Sequence, residues 1–189
     1  MKLIDADGLE QLSMRKLGSA LGYEAMALYK HVADKQAVID ATVAAAFDEM
    51  ALPDPTEPWQ QRLRHAADQL RATALRHPHL LVPMMTNPPP TPAVIERIDA
   101  ILSALRDSGA SDEDVTHHFW MFVNTTTGAL VAEARSLTNP TSTPAALDEA
   151  DIARIDECRA MREFGEALAS CDFAAEYERT VDTLISLTG

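Results

Sequence analysis

Apolar residues recur at helical spacing through most of the chain, and breaks in that spacing divide it into segments. Leu17 and Leu21 are four residues apart and share one face, and Gly22 follows them. Leu28 and Val32 repeat that spacing after the glycine. The pattern predicts two short helices, the second ending at about Val32, joined by a turn that needs the backbone freedom of glycine. Two helices joined in this way form a helix-turn-helix motif, whose second helix lies in a DNA major groove.

Ser13 and Asp34 precede predicted helices, where their side chains can accept backbone N–H groups that have no partner inside the helix. The helix that begins after Asp34 is predicted to reach about Met50. A proline-rich segment follows and breaks helicity, because proline lacks a backbone N–H and restricts the residue before it. We therefore predict a boundary between two domains, residues 1–51 and residues 52–189.

The second domain also has a helical pattern, and no segment of the chain predicts a strand. Residues 59–77 and residues 91–109 each carry an apolar stripe. Residues 115–132 contain no Asp, Glu, Lys or Arg, which predicts a helix buried on several sides. The last helix has one apolar face, formed by Phe173, Tyr177, Val181 and Leu184. Together these patterns predict an all-α fold.

Composition narrows the class of protein. The chain has 189 residues, of which 47% are apolar, so it can bury a sizeable core in one large or two small domains. No stretch approaches the ~18 consecutive apolar residues of a membrane-spanning helix. The start of the chain lacks the apolar core of a signal peptide. Cys158 and Cys171 do not have metal-ligand spacing and are expected to be reduced thiols, which predicts a cytoplasmic protein.

Histidine pairs invite a metal interpretation, which the helical geometry disfavours. His117 and His118 are adjacent, and neighbouring residues on a helix point about 100° apart, so both rarely bind one ion. His77 and His79 lie on either side of a proline, and no H-E-x-x-H spacing is present. No nucleophile motif or glycine-rich phosphate loop appears either. We predict no metal, no cofactor and no enzymatic activity.

The segment LSMRKLGSALGYEAMALYKHVADK resembles the DNA-binding motif of the TetR family of bacterial transcriptional regulators. Its most specific part is residues 28–32 followed by Asp34 and Lys35. In that family the tyrosine, the histidine and the lysine contact phosphates, and the arginine of the S-M-R-K segment can reach a base. We therefore predict these DNA-contacting residues: Ser13, Met14, Arg15, Ala25, Met26, Ala27, Tyr29, Lys30, His31 and Lys35.

The first helix departs from the family pattern. Residues 2–6 offer only the end of a helix that stops near Gly8, whereas family members usually carry a longer one. That helix supports the motif and often touches the phosphate backbone. The shortened helix leaves a second hypothesis open: a dimeric helical protein that binds small molecules or other partners and has lost DNA binding.

The charge of the chain is unevenly distributed. The net charge of −13 is unusual for a DNA-binding protein. Between Ser13 and Gln36, however, four cations (Arg15, Lys16, Lys30 and Lys35) face two acids, which gives a local charge of +2 and leaves −15 on the remainder. An acidic body with one basic patch is expected to suppress promiscuous binding to nucleic acids.

The layout of the second domain resembles the C-terminal domain of the tetracycline repressor. The likeness rests on the helix start at Trp59 and Gln60, the helix end at Gly109 and the run at residues 127–130. It implies a homodimer built on a four-helix bundle, with a small-molecule pocket in each subunit. Tetracycline itself is not expected, because Ala66 and Leu70 stand where that repressor uses Asn and Phe to hold the drug.

We therefore predict a ligand-responsive transcriptional regulator, a repressor released from a palindromic double-stranded operator by a small apolar effector. Trp120, expected to be largely buried, should form one wall of the effector site with Asn124 and Thr127. The remaining effector-site residues are predicted to be Leu63, Ala66 and Leu70 on the opposite wall and Met84 and Met85 at one end. The stripe of Phe173, Tyr177, Val181 and Leu184, together with one side of the 115–132 helix, is predicted to pair with its symmetry mate in the homodimer.

Overall fold

The fold is described by a computed structural model, which covers residues 1–138, 154–155 and 157–188. These residues form helices and connecting loops, with no strand among them, so the predicted all-α fold is confirmed. No helix within these ranges is long and apolar enough to cross a membrane. The helices are α1 (Lys2–Asp7), α2 (Met14–Leu21), α3 (Ala25–Leu28), α4 (Lys35–Asp48), α5 (Trp59–Arg76), a 3₁₀ turn (Pro78–Leu80), α6 (Leu81–Thr86), α7 (Pro92–Asp107), α8 (Asp112–Thr138), α9 (Arg159–Ala169) and α10 (Phe173–Thr188).

Local capping chemistry builds the N-terminal head as predicted, with one correction. The Ser13 hydroxyl accepts the Lys16 N–H at 3.2 Å, and the Asp34 carboxylate accepts the Ala37 N–H at 2.8 Å. Gly22 adopts the left-handed conformation that ends α2, with φ of 75°. The second helix of the motif was expected to reach Val32 but ends at Leu28. It is short because the chain must leave the helix axis to reach Asp34, whose extended backbone caps α4.

Helices α5, α7, α8 and α10 pack together as the body, and α4 joins the head to it. The core of the body is apolar and includes Leu63, Leu105 and Leu130. The C-terminal part of α4 packs against α6 and α7, while α1 packs against the 3₁₀ turn that follows α5. The head is therefore held to the body through α1 as well as through α4.

Helix α8 is less enclosed than its composition suggested. Phe122, Thr126 and Leu130 are buried within the subunit, but His117, Asn124 and Gly128 on another side of the helix are exposed. The expectation of burial on several sides therefore fails for an isolated subunit. The exposed side carries small and polar residues that need no cover in a single subunit.

The apolar stripe of α10 faces the interior of its own subunit. Tyr177, Val181 and Leu184 are buried, and the Tyr177 hydroxyl donates a hydrogen bond of 2.8 Å to the Ala67 carbonyl of α5. The prediction that these three residues pair with a symmetry mate is wrong, because α5 and α8 of the same subunit already pack against α10. Phe173, which is 37% exposed, is the one member of the stripe still accessible.

Ionisation of Tyr177 is expected to destabilise the fold at high pH. Burial raises the pKa of the Tyr177 phenol above its ordinary value of 10.0. The folded state therefore holds the proton more tightly than the unfolded chain, and this contribution to stability is complete below pH 10 and lost as the pH rises above it. Urea unfolding between pH 8 and pH 11 should show falling stability for the parent and a shallower decline for Tyr177→Phe. An equal decline in both proteins would exclude Tyr177 as the group responsible.

The segment before α10 is described only in part. The sequence predicts a loop over residues 138–144, which contain two prolines, and a charged, mostly exposed helical stretch over residues 148–169. The loop, except for Thr138 at the end of α8, and the start of the charged stretch lie outside the described residues. Helix α9 forms the end of that charged segment and buries no residue, in agreement with the prediction of an exposed helix.

Candidate DNA-binding surface and ligand cavity

The predicted DNA-contacting residues lie on and around the helix-turn-helix motif. Arg15 is exposed in the first turn of α2, and Met26 on α3 is 74% exposed. Lys35 is the first residue of α4, where free backbone N–H groups and the helix dipole also favour a phosphate. Tyr29, Lys30 and His31 are exposed in the turn after α3.

The other predicted residues of this surface have more limited access. The Ser13 hydroxyl already caps α2, so its side chain is engaged in the fold. Met14 and Ala27 are half-buried, and the side chain of Ala25 lies outside the described residues. Lys16 forms an ion pair of 2.7 Å with Asp7, whereas the charges of Arg15, Lys30 and Lys35 form no ion pair within the described part of the chain. Three basic side chains are therefore available to bind an anionic backbone.

Charged side chains tie the head to the end of α5. His77 lies between two carboxylates, with Nδ1 2.9 Å from Asp5 of α1 and Nε2 3.3 Å from Glu49 at the end of α4. Arg76 forms an ion pair with the same Glu49 carboxylate. In the sequence, His77 had been considered only as an unconvincing metal ligand, because no local pattern reveals partners that lie 72 and 28 residues away.

The linker after α4 is hydrogen-bonded to the body by three side chains. Arg97 of α7 donates to the Met50 carbonyl from Nε at 3.2 Å and from Nη2 at 2.6 Å. The Gln69 Oε1 atom accepts the Ala51 N–H at 3.0 Å, and the His65 Nε2 atom lies 3.1 Å from the Ala51 carbonyl oxygen. The chain that connects head and body is thus held by the side chains of α5 and α7.

A cavity of about 360 Å³ lies directly against this linker. Its walls come from the linker and from α5, α6, α7 and α8, and are mostly apolar, as is usual for small-molecule sites. Five of the predicted effector-site residues line it: Ala66, Leu70, Met84, Met85 and Trp120. Of the two candidate polar residues on α8, neither Asn124 nor Thr127 is among the lining residues.

Three predicted effector-site residues lie elsewhere, and a fourth has a different environment. Leu63 is buried in the core, and Asn124 faces a groove between α8 and α10. The Thr127 hydroxyl donates to the Val123 carbonyl at 2.6 Å. Trp120 lines the cavity, but it is 56% exposed rather than largely buried, with its ring edge-on to Phe119 at 5.3 Å between centroids.

Position around and along α8 explains why Asn124 and Thr127 do not line the cavity. Successive helical residues are rotated by about 100°, and the α8 residues that line the cavity are Phe119, Trp120, Phe122, Val123 and Thr126. Asn124 instead faces the outer groove between α8 and α10. Thr127 lies on the same side of α8 as Trp120, seven residues earlier, but just beyond Thr126, the last α8 residue of the lining. The sequence analysis also missed Arg97 and Gln69, both of which line the cavity. Arg97 could have been noticed, because it lies three residues after Val94 and four before Ile101 on an otherwise apolar stripe.

A shallow groove runs between α8 and α10 on the outside of the body. Asn124, Thr125 and Gly128 line its α8 side, and Phe173 and Thr180 line its α10 side. A Cβ atom added at Gly128 would meet no heavy atom within 4 Å in the subunit. The groove thus provides an open surface with small residues where a second helix can approach closely.

Comparison with known proteins identifies the family. The profile described as "Tetracyclin repressor-like, C-terminal domain" matches residues 52–186, which include most of the body and its cavity. The chain belongs to the TetR family. The match begins at residue 52, the first residue of the predicted second domain, and the helix-turn-helix motif precedes it.

Other TetR-family proteins share both sequence and fold with this chain. An HTH-type transcriptional regulator from Saccharopolyspora erythraea is 33% identical over 135 residues, covering 71% of this chain and 57% of the relative. A class E tetracycline repressor from Escherichia coli is 33% identical over 136 residues, covering 70% and 64%. The aligned part of this chain therefore spans less than two thirds of the length of either relative.

Solved structures of TetR-family proteins have the same architecture. A possible TetR-family regulator from Streptomyces coelicolor has a TM-score of 0.75 at 26% identity, with 98% of this chain and 92% of that one covered. ActR from the same organism, solved in complex with actinorhodin, has a TM-score of 0.79 at 21% identity, with 99% and 91% covered. The second likeness is one of fold alone.

Proposed function

We propose that this TetR-family protein is a ligand-responsive repressor that binds a palindromic operator and releases it when a small apolar effector fills the cavity. The observation that carries the proposal is the position of the cavity against the linker. Met50, Ala51, Leu52 and Pro53 form part of its wall, and α4 of the DNA-binding head ends just before them. A ligand in the cavity therefore contacts the segment that sets the position of the head.

The DNA-binding side of the proposal rests on exposed chemistry in the head. Arg15 has the planar fork that recognises the O6 and N7 atoms of guanine, and it is exposed beside the short α3 helix. Tyr29 lies at the end of α3 and Lys35 at the start of α4. We propose that both contact phosphates, as the family resemblance implies. Such a protein acts in the cytoplasm, where its operator lies.

The dimer is proposed to form across the groove between α8 and α10. The exposed, uncharged side of α8 at Asn124, Thr125 and Gly128 allows close helix approach, and Phe173 adds an apolar anchor beside it. A twofold axis here would build a bundle from two helices of each subunit. The buried residues of α10 support this surface from within rather than forming it.

Two substitutions in the head should separate base reading from phosphate binding. Operators would first be selected from a random duplex pool at low salt. Arg15→Ala is expected to cost about 1–3 kcal/mol per contact and to relax specificity at one base pair in each half-site. Lys35→Ala should weaken binding to all duplexes about equally and reduce the salt dependence.

Arg106→Ala is the matched control, because Arg106 is an exposed cation on α7 in the body. Fluorescence anisotropy at several salt concentrations measures all three variants. Failure to retain any duplex at low salt would contradict the proposed function, and an effect of Arg106→Ala equal to that of Lys35→Ala would exclude a specific phosphate contact.

The effector side is tested with the selected operator. An apolar compound library is screened for operator release, and each hit is then titrated by calorimetry against the parent and Val123→Trp. The indole ring of the introduced tryptophan should fill part of the cavity and abolish effector binding, since Val123 lines it. An active effector should weaken operator binding about 5- to 150-fold, the range of a coupling of ~1–3 kcal/mol. Hits that still bind Val123→Trp would place the effector site outside the cavity.

A further inference from the structure

The cavity presents one charge to a ligand. Among the described residues that line it, Arg97 alone is ionised, and the lining contains no Asp or Glu. The Arg97 side chain is only 15% exposed, and its ion-pair partner Glu96 lies outside the lining with a side chain that is 57% exposed. The positive charge inside the cavity is therefore poorly balanced by the protein itself. A guanidinium in apolar surroundings favours an anionic or strongly accepting partner.

The same guanidinium holds the linker. Its Nε and Nη2 atoms both donate to the Met50 carbonyl, and its Nη1 atom donates to the Ala93 carbonyl at 3.1 Å. The Nη1 atom also donates to Glu96, so the edge of the guanidinium formed by Nη1 is already engaged. A carboxylate that bound both Nε and Nη2 would therefore have to displace the Met50 carbonyl from them.

Gln69 of α5 is a second polar side chain that holds the linker. Its Oε1 atom accepts the Ala51 N–H, while within the described residues its side-chain nitrogen donates no hydrogen bond. Gln69 also lines the cavity. A ligand that accepts a bond from this amide nitrogen would lie beside the second fixed point of the linker.

We infer that the effector is a small apolar carboxylic acid whose carboxylate takes the Arg97 guanidinium from the Met50 carbonyl and so frees the linker. This inference rests on the proposed function and specifies the chemical class of its ligand. The walls formed by Met84, Phe119 and Phe122 suit a ring system, and 360 Å³ lies near the lower end of the ~300–1,000 Å³ typical of ligand sites. Arg97 would recognise the carboxylate by its charge, and the apolar walls would bury the ring system.

A matched pair of probes tests the charge preference. 2-Naphthoic acid is anionic at pH 7.5, and 2-naphthamide has nearly the same shape without the charge. Calorimetry should show the acid binding the parent about 10- to 100-fold more tightly, as one charge-assisted hydrogen-bond pair provides. Arg97→Gln should bring the two affinities together while keeping the amide bound, and Arg97→Lys should retain part of the preference. Arg106→Gln, on the same helix, should behave like the parent.

Hydrogen exchange tests the release of the linker. The acid should speed amide exchange in a peptide covering residues 47–55 of the parent, and Arg97→Gln should show fast exchange there without any probe. Slower exchange on binding the acid would overturn the inferred release. Equal affinities of acid and amide for the parent, or a preference that survives in Arg97→Gln, would overturn the ligand class while leaving the proposed function intact. Failure of both probes to bind would count against the cavity and against both proposals.

Discussion

Arg71→Ala is expected to lower the free energy of unfolding by about 3–5 kcal/mol, the usual cost of breaking a buried ion pair. Arg71 of α5 donates to Glu133 of α8 through Nε at 2.9 Å and Nη2 at 2.6 Å, and Glu133 is buried. The guanidinium also lies 5.3 Å from the centre of the Tyr177 ring. Its removal therefore weakens the junction of three helices at once. Urea denaturation monitored by circular dichroism measures the loss.

Arg64→Ala is the control on the same helix. Arg64 pairs with Glu178 and Asp182 at the surface, where an ion pair contributes about 0–1 kcal/mol. The double variant Arg71→Met with Glu133→Leu should recover much of the lost stability, since an apolar pair of similar volume avoids the desolvation of two charges. Equal losses in the free energy of unfolding for Arg64→Ala and Arg71→Ala would show that the burial of Glu133 does not make its ion pair more important for stability.

Thr125→Arg combined with Gly128→Arg is expected to split the dimer and to lower the affinity for a palindromic duplex by about 100-fold or more. Both residues line the groove between α8 and α10, and the twofold axis would bring like charges together across it. Two linked heads gain about 10²- to 10⁴-fold in affinity over one, and a monomer loses this gain. Sedimentation velocity should show monomers, while binding to a single half-site should change little.

Thr116→Arg provides the control, because Thr116 is an exposed residue of α8 outside the groove. It should leave both assembly and operator affinity unchanged. A persistent dimer of the double variant would place the interface on another surface. Tyr177→Asp, which the sequence-based interface would have suggested for the same purpose, is instead expected to unfold the subunit, because Tyr177 is buried within its own core.

Features determined by neighbouring residues were predictable from the sequence. Ser13 and Asp34 cap their helices as expected, and Thr91 caps α7 in the same way, because a cap needs only a side-chain oxygen and an N–H three residues away. The positive φ of Gly22 and of Gly109 follows from the same local logic. Part of the cavity was also predicted, including Met84 and Met85, which lie in a short segment with a proline on either side.

Features determined by tertiary packing were not predictable. An apolar stripe such as Tyr177, Val181 and Leu184 has the same pattern whether its own subunit or a partner covers it. Asn124 and Thr127 were predicted to contact a ligand because they interrupt an apolar helix, but the Thr127 hydroxyl bonds to the preceding turn of its own helix and Asn124 faces the outer groove. Gln69 and His77 act on partners distant in sequence, so no periodicity could reveal them. Arg97 interrupts an apolar stripe, but its partner Met50 lies 47 residues away and could not be predicted from that spacing.

Helix α4 has a mechanical consequence for the separation of the two heads in a dimer. It spans 14 residues, so it is roughly 20 Å long, with one end next to the cavity and the other at Lys35. Because a helix turns as a stiff rod, a tilt of ~5° at the cavity end displaces the far end by ~2 Å. Two such displacements in opposite directions change the distance between recognition helices by up to ~4 Å, about one base-pair step of ~3.4 Å. In the proposed dimer, a tilt of α4 by only a few degrees would thus change the spacing of the two heads by about one base-pair step.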